Sequence, residues 1–291
     1  MFNSLKQEEK NIRYRYARPY IPNAVFYIPF GYYYAVRLGT VAKLLSWMLL
    51  YIMPTAFYSA IGYSGSPIMF GINYLLVLIA VFSLYEYGYI VNDTLSILRE
   101  DQPAIRLYEH NFVHFSRWKS LILIARLGYA IMAMVLLYTL NGDSVHTVQV
   151  ELSIAFMCLC FAVYNRWRNR YNVWFYPVLV CSRYIPFMLL YQQGWLPYVL
   201  LLISFPLLNA LERFSMPRYR WRCMKRLIPD ESSKTRFRVV YYALFLPLSC
   251  FVVYELEQPI WLISPIAVLF VYRLALLLWL KKHPLTNYLN G

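Results

Sequence analysis

Charged residues are scarce in this sequence, and acidic residues are the scarcest. Asp, Glu, Lys and Arg make up 14% of its 291 residues, with 14 acidic side chains against 28 basic ones. Hydrophobic residues reach 60%, aromatic residues 19%, and the mean hydropathy is +0.44. These values lie outside the range of soluble globular proteins. The lack of charge therefore excludes a soluble domain and predicts an integral membrane protein.

Glycine and cysteine are also sparse. With 10 glycines, the sequence contains no Gly-rich phosphate loop. Its five cysteines have neither metal-ligand spacing nor the even number typical of a disulfide framework, so we expect reduced, packed thiols. The first 20 residues are polar and basic where a signal peptide has an apolar core, so we expect no cleavable signal.

Eight apolar stretches are long enough to span a bilayer as helices. The segments between them are alternately rich in Lys and Arg and free of both, so the positive-inside rule places both termini in the cytosol. The net charge of +14 then reflects membrane topology, and we expect no nucleic-acid partner. The predicted spans are 40–60, 67–92, 119–139, 147–165, 172–190, 195–211, 238–254 and 259–280.

These patterns predict an all-α helical bundle of about eight spans, in a bacterial cytoplasmic membrane. We divide the chain into an N-terminal segment, 1–39, and a transmembrane domain, 40–291. Arg13, Arg15 and Arg18 lie among many tyrosines in the N-terminal segment. That composition is typical of a segment resting on anionic headgroups, and we interpret it as a topology anchor.

A first polar cluster follows the second apolar stretch. If the helix continues past the membrane surface, Asp93, Ser96 and Glu100 are spaced i, i+3 and i+7 and share one face with Glu86. A carboxylate within an apolar span is costly unless it is paired or faces water, so Glu86 is expected to point inward. Oxygen ligands suit Mg²⁺, which commonly uses one or two carboxylates together with substrate phosphates.

A second polar cluster lies at the end of the sixth stretch, where Asn209 and Glu212 are three residues apart. Pro217 then indicates the start of a short helix that ends before Pro229. That helix presents one cationic stripe, which fits either phosphate oxygens or anionic lipid. The stripe consists of Arg218, Arg222, Lys225 and Arg226.

Three arginines, Arg126, Arg183 and Arg273, fall well inside apolar stretches. Charged residues at that depth are either partners for buried acids such as Glu86 or contacts for a substrate. The sequence leaves both interpretations open for each of the three.

The first cluster, Tyr89 to Glu100, resembles the first Asp-rich motif of the UbiA prenyltransferase superfamily, N-D-x-x-D-x-x-x-D. "VYNRWRNRYN", residues 163–172, is similar to the basic connection between that superfamily's fourth and fifth helices, and Asn209 and Glu212 stand at its second acidic motif. The resemblance covers roughly 40–280. It departs from the family at Ser96 and Glu100, which replace Asp, and in its eight spans where the family has nine.

The resemblance implies a cytosol-facing cavity in which Mg²⁺ and cations bind a departing diphosphate. Asp93, Glu100 and Glu212 would be the catalytic residues, and together with Asn92 they would hold the metal. The remaining residues would bind substrate: Asn92, Ser96, Arg106, Arg166, Arg168, Asn209, Arg218, Arg222, Lys225 and Arg226.

A second resemblance indicates which reaction of that superfamily the protein would catalyse. "LERFSMPRYRWRCMKR", "SSKTRFRVVYY" and "VLFVYRLALL" look similar to the branch that moves phosphoribosyl from phosphoribosyl diphosphate to a polyprenyl phosphate. The substrates of that reaction carry several phosphates, which need cationic partners more than they need further carboxylates. Transfer from a prenyl diphosphate to an aromatic acceptor is the alternative, and a transporter or a catalytically idle relative is a further one.

Overall fold

The computed structural model describes residues 20–99, 105–142, 145–166, 172–191, 194–216 and 221–282. Within these ranges every regular element is a helix and no strand occurs, which confirms the predicted all-α class. Three predicted site residues, Glu100, Arg168 and Arg218, lie outside the described residues.

The helices are named here in chain order. They are α1 (Val41–Ala60), α2 (Pro67–Thr94), α3 (Glu109–Asn141), α4 (Val145–Arg166), α5 (Asn172–Ser182), α6 (Ile185–Met188), α7 (Trp195–Ser204), α8 (Pro206–Phe214), α9 (Arg222–Leu227), α10 (Glu231–Glu255) and α11 (Ser264–Lys282). We call residues 20–38, which precede α1, the strap.

Among the described residues, six helices are long and apolar enough to cross a membrane, and α7 and α8 make a seventh crossing if that pair, bent by 42°, counts as one span. Large apolar side chains such as Ile131, Leu159 and Leu244 are exposed on these helices. Apolar surfaces of this kind are stable in contact with lipid. Helices can lie in lipid because they satisfy their own backbone hydrogen bonds. The chain is therefore a multi-pass membrane protein.

Helix α2 covers the predicted span, 67–92, and ends two residues after it. It stops at Thr94 and is followed by a 3₁₀ turn over Ser96–Arg99. The Thr94 hydroxyl donates to the carbonyl oxygen of Ile90 at 2.6 Å, one turn back in the same helix. The α-helix does not continue to Ser96, and Glu100, the last residue of the expected face, lies outside the described residues.

The strap packs on α2 and α3. Phe26 and Tyr32 are fully buried there, and they form a small core with Ile90, Phe115 and other apolar side chains. Gly39, with φ of +63°, ends the strap, and Thr40 then caps α1 by accepting a bond from the Lys43 amide. The strap thus brings its polar groups to the end of α2.

The span predicted over 172–190 is not one helix. It breaks at Arg183 and Tyr184, between α5 and α6, just before Pro186, whose ring nitrogen has no proton to donate. The carbonyl freed at Arg183 accepts from the Tyr51 hydroxyl at 2.9 Å. At Phe187 the carbonyl accepts from the Ser59 hydroxyl at 2.8 Å. Neighbouring α1 therefore satisfies the broken backbone and fixes the position of Arg183.

The bend between α7 and α8 has the same origin. Pro206 follows the bend residue Phe205 and cannot continue the hydrogen bonding of α7. The carbonyl oxygens of Ile203 and Ser204 accept instead from the hydroxyls of Tyr241 and Tyr242 on α10, at 2.7 and 2.5 Å. Helix α10 thereby holds α8, which carries Asn209 and Glu212, at a fixed angle.

Helices α2 and α4 approach each other closely at Gly88. A Cβ atom at this position would lie 2.5 Å from the Phe161 ring, so no larger residue fits without a shift. The Asn165 amide also donates to the Gly88 carbonyl at 3.0 Å. This contact brings the aromatic face of α4 against the end of α2 that carries Asp93.

Candidate functional site

Asp93 is fully buried at the end of α2, and both of its oxygens accept hydrogen bonds. Oδ2 accepts from the Tyr32 hydroxyl at 2.9 Å and from Nη2 of Arg37 at 2.6 Å. Oδ1 accepts from Asn92 at 3.0 Å and from Arg106 at 3.2 Å. One carboxylate therefore has two guanidinium partners among the described residues.

The two strap residues at Asp93 remain in the protonation states that these bonds require. Burial raises the pKa of Tyr32, and the Asp93 carboxylate raises it further, so the hydroxyl keeps its proton. Burial lowers the pKa of Arg37, but the charge of Asp93 and the nearby tyrosines more than offset this, and the net direction is upward. Tyr32 and Arg37 therefore both remain hydrogen-bond donors at neutral pH.

Glu86 lies two turns before Asp93 and is fully buried, which confirms that it points inward. Its carboxylate pairs with Arg126 of α3 and accepts the backbone amides of Phe30 at 2.9 Å and Tyr33 at 2.7 Å. Arg126 in turn donates to the Phe26 carbonyl at 2.8 Å. This network fastens the strap to α2 and α3, and it resolves Arg126 as the partner of a buried acid.

The second cluster joins α5, α8 and α10. Asn209 accepts a bond from the Tyr176 hydroxyl at 2.9 Å. Both oxygens of Glu212 bind Arg238, at 2.5 and 2.8 Å, in a bidentate pair. One turn of α8 therefore presents an amide held by a phenol and a carboxylate held by a guanidinium group.

A row of aromatic rings connects the two clusters. The Arg37 guanidinium lies 4.6 Å from the Tyr89 ring centroid, and Tyr89 is 5.5 Å from Phe161. Phe161 is 6.4 Å from Tyr164, whose hydroxyl accepts from Arg213 at 2.9 Å. The site is thus a set of arginines separated by tyrosine and phenylalanine rings.

Arg183 occupies the break between α5 and α6. Its guanidinium carbon lies 5.0 Å from the Tyr51 ring, 5.4 Å from Tyr85 and 5.1 Å from Tyr184. Its side chain is 6% exposed. Across the parts of the chain that the structure describes, no carboxylate lies within ion-pair distance of it. The Arg183 cation is therefore surrounded by tyrosine rings, and its Nη2 donates to the Tyr184 hydroxyl at 3.3 Å.

The structure brings several predicted site residues together. Asn92, Asp93 and Arg106 meet at the end of α2, and Ser96 is buried on the next turn. Arg166 is exposed at the end of α4. The exposed cationic residues of α9 are Arg222, Lys225 and Arg226. Helix α9 ends before Pro229 as predicted; it begins at Arg222, after an extended Trp221, and the predicted start at Pro217 lies outside the described residues.

Sequence reasoning missed three contacts in these clusters. Tyr32 and Arg37 belong to the strap, which precedes the first apolar run and carries no motif. Arg238 stands in the basic stretch "SSKTRFRVVYY", but nothing in its spacing indicates that it pairs with Glu212. Arg238 follows Glu212 by 26 residues, a separation that no local sequence pattern indicates, so only the packing of α8 on α10 reveals the pair.

The Mg²⁺ ion implied by the resemblance would have to share its carboxylates with arginine side chains. Asp93 and Glu212 accept arginine donors on both oxygens. No group of three or more His, Cys, Asp or Glu side chains suited to a metal occurs among the described residues, which do not include Glu100. Arginine partners and Mg²⁺ compete for the same lone pairs, so these carboxylates are set for cation pairing in this structure.

Comparisons of the chain with protein-family models, with curated proteins and with solved structures found no match.

Proposed function

We propose that this protein is an integral membrane transferase that binds phosphate-bearing substrates on a set of arginines at the cytosolic side of its helical bundle. The reaction most in keeping with the site is phosphoribosyl transfer from phosphoribosyl diphosphate to a polyprenyl phosphate, with diphosphate as the leaving group. The transmembrane domain would supply the site and the lipid bilayer would supply the acceptor.

Arginines outnumber carboxylates among the described residues of the site, and this balance carries the proposal. Asp93 has two arginine partners, Glu212 has one, and Arg183 has none of opposite charge in the described residues. Arginine binds phosphate oxygens through a planar pair of N–H donors, and such bonds are strong in a site with little water. Substrates that carry several phosphates between them suit this balance better than a single diphosphate.

An apolar groove beside the site supports a lipid substrate. Its volume is about 430 Å³, and it lies between the strap, α1 and α2. Tyr33 and Trp47, which form part of its wall, also contact the ring cluster around Arg37 and Arg183. The groove is lined by Phe30, Tyr33, Tyr34, Leu38, Leu44, Trp47, Met48, Ile52 and Leu78.

The proposed topology has eight crossings with both termini in the cytosol. Residues 172–191 support the eighth crossing, because their ends contact opposite ends of the bundle. Asn172 donates to the carbonyl of Tyr164, near the end of α4, at 3.1 Å. Tyr191 accepts from Asn73 near the start of α2 at 3.2 Å, and Asn73 also bonds Asn141 at the end of α3. A broken helix pair would thus traverse the membrane beside α2.

Mg²⁺ dependence is part of the proposal through Asn92, Asp93, Glu100 and Glu212. Titrating Mg²⁺ against purified protein, with turnover and metal binding measured in parallel, tests it. Activity that survives chelation would assign leaving-group stabilisation to the arginines alone.

Prenyl transfer from a prenyl diphosphate to an aromatic acceptor is the alternative reaction. The deciding experiment incubates purified protein with Mg²⁺, polyprenyl phosphate and either phosphoribosyl diphosphate or a prenyl diphosphate, and identifies the lipid product by mass spectrometry. A phosphoribosylated lipid is the expected product. A prenylated aromatic compound would establish the alternative, and no product from either donor would overturn the transferase proposal.

A transporter is the second candidate, and two broken helices favour it. Both α5–α6 and α7–α8 are interrupted at proline, and broken helices often form binding sites in transporters. Flux of labelled phosphate compounds into liposomes containing the protein tests this candidate. Protein-dependent flux without chemical change of the solute would favour transport over transfer.

A further inference from the structure

Several buried nitrogen donors around one ring cluster have no hydrogen-bond partner within the described ranges. They are Nε of Arg183, Nε of Arg37 and Nε1 of Trp47. Buried donors in native proteins are almost always bonded, because an unpaired one keeps the cost of losing water. Three of them beside the same rings indicate a site made to receive an acceptor.

These donors are grouped by the rings that they share. Trp47 stacks on Tyr51 with centroids 5.8 Å apart, and Tyr51 lies 5.0 Å from the Arg183 guanidinium. The Arg37 guanidinium lies 4.6 Å from the Tyr89 ring, and the centroids of Tyr89 and Tyr85 are 5.0 Å apart. The Arg183 guanidinium lies 5.4 Å from Tyr85, so Tyr85 and Tyr89 link the two cations, and Trp47 borders the same cluster.

The charge of the cluster defines its ligand. Arg37 pairs with Asp93, whereas Arg183 lies against aromatic rings and donates one bond, from Nη2 to the Tyr184 hydroxyl at 3.3 Å. Rings stabilise a cation without accepting its N–H bonds in the guanidinium plane, and Nε of Arg183 has no partner among the described residues, so that donor stays available. A ligand with several oxygens and a negative charge pairs with all of these groups at once, and a phosphate group has this chemistry.

We propose that Arg183, with Trp47 and Arg37, forms a binding site for a phosphate-type oxyanion at the break between α5 and α6. The site binds the anion directly through N–H donors, without a metal held by Asp93 or Glu212, and one of its arginines, Arg37, also pairs with Asp93. This inference deepens the proposed function and rests on the chain having a phosphate-bearing substrate. The phosphate belongs either to a soluble diphosphate or to a lipid headgroup whose chain lies in the adjacent groove.

Binding is tested on the purified full chain in neutral detergent, without Mg²⁺, by calorimetry and thermal shift. One arm uses inorganic diphosphate as the soluble source, and the other uses decyl phosphate below its micelle concentration. Sodium chloride at equal ionic strength and decanol are the matched ligand controls. We expect saturable binding of at least one phosphate probe, and the arm that binds more tightly identifies the source.

The variants separate a binding role from a packing role. Arg183→Met should weaken binding at least about tenfold, the loss expected for charge-assisted bonds, while Arg183→Lys should recover part of it. Trp47→Phe keeps the ring and removes one N–H, and should weaken binding about threefold. Arg236→Met and Trp261→Phe are the controls, since these exposed residues match the changes in charge and ring.

Absence of binding of either probe by the wild type at millimolar concentration would overturn the inference. Wild-type affinity in both Arg183→Lys and Trp47→Phe would also overturn it. These two variants test the inference even if Arg183→Met fails to fold. Arg183-dependent binding without turnover would keep this site and reject the transferase. Full turnover together with full phosphate affinity in Arg183→Met would keep the transferase and reject this site.

Discussion

Arg37 and Asp93 are 56 residues apart in the chain, and Nη2 of the first lies 2.6 Å from Oδ2 of the second. The bond joins the strap to the end of α2. The strap is therefore part of the candidate site as well as a segment ahead of the first span. Any change at Asp93 consequently affects both the chemistry proposed for it and the attachment of the strap.

We expect Asp93→Asn to abolish turnover and to loosen the strap. An amide cannot satisfy Arg37, Arg106 and Tyr32 as a carboxylate does, and a bond to a charged group contributes about 1.5–3 kcal/mol. Hydrogen exchange at the backbone amides of Phe30 and Tyr33 measures the loosening. Glu151→Gln, a change at an exposed acid, is the matched control. Full activity with unchanged exchange would contradict both expectations.

The ion pair of Glu86 and Arg126 should contribute strongly to stability because each partner is fully buried. Glu86→Gln leaves an unpaired buried guanidinium, and breaking such a pair costs about 3–5 kcal/mol. The double change Glu86→Gln with Arg126→Met removes both charges and should recover much of the loss. Thermal unfolding in detergent measures the cycle, and additive losses in the double variant would refute this coupling.

The bend before Pro206 should depend on one hydroxyl group in particular. Tyr242→Phe removes the donor that satisfies the Ser204 carbonyl, leaving a buried acceptor unpaired at a cost of about 1–3 kcal/mol. Tyr254→Phe, at a side chain that is 76% exposed, should have almost no effect. Equal melting temperatures for the two variants would show that the hydroxyl of Tyr242 does not hold the bend.

The sequence predicted the features that depend on local pattern. Apolar length predicted the long helices, and the polar ends of α2 and α8 identified Asn92, Asp93, Asn209 and Glu212. It failed at 172–190, where a hydrophobic window does not register the break that Pro186 and the Tyr51 hydroxyl produce at Arg183. Such partners are distant in sequence, so hydropathy and spacing contain no signal for them.

The same limit applies to the arginines inside apolar stretches. Arg126 and Arg183 look alike in sequence, yet one faces Glu86 and the other faces three tyrosine rings. Only tertiary packing decides which side chain lies opposite a buried cation. This distinction separates a structural pair from a candidate binding group.

The proposed topology is tested with one native thiol and one introduced thiol. Cys223 is exposed on α9 and should react with a membrane-impermeant maleimide only from the cytosolic side, in a variant that keeps it as the sole cysteine. Gly194→Cys, in a cysteine-free background, should react only from the opposite side. If both thiols react from the same side, an even number of crossings separates them instead of one. That result would reject the eight-span arrangement.

The last prediction concerns the cations of α9. If Arg222 and Arg226 bind phosphates of the donor, replacing either with Ala removes a charge-assisted bond of about 1.5–3 kcal/mol, a loss of roughly tenfold or more in donor affinity. Lysine should restore only part of it, because it keeps the charge but lacks the planar pair of donors. Titration of phosphoribosyl diphosphate in neutral detergent measures this loss without interference from anionic lipid.

A role limited to membrane attachment gives a different result for the same variants. Each charge then contributes about 1 kcal/mol of attraction to anionic lipid, and lysine replaces arginine freely. Lys281→Ala, at an exposed cation on the last turn of α11, is the matched control and should bind the donor as the wild type does. A defect confined to a prenyl diphosphate would promote the alternative reaction. Unchanged affinity for both donors in every variant would remove α9 from the site, since an exposed helix whose cations affect only lipid attraction has no part in holding the leaving phosphates.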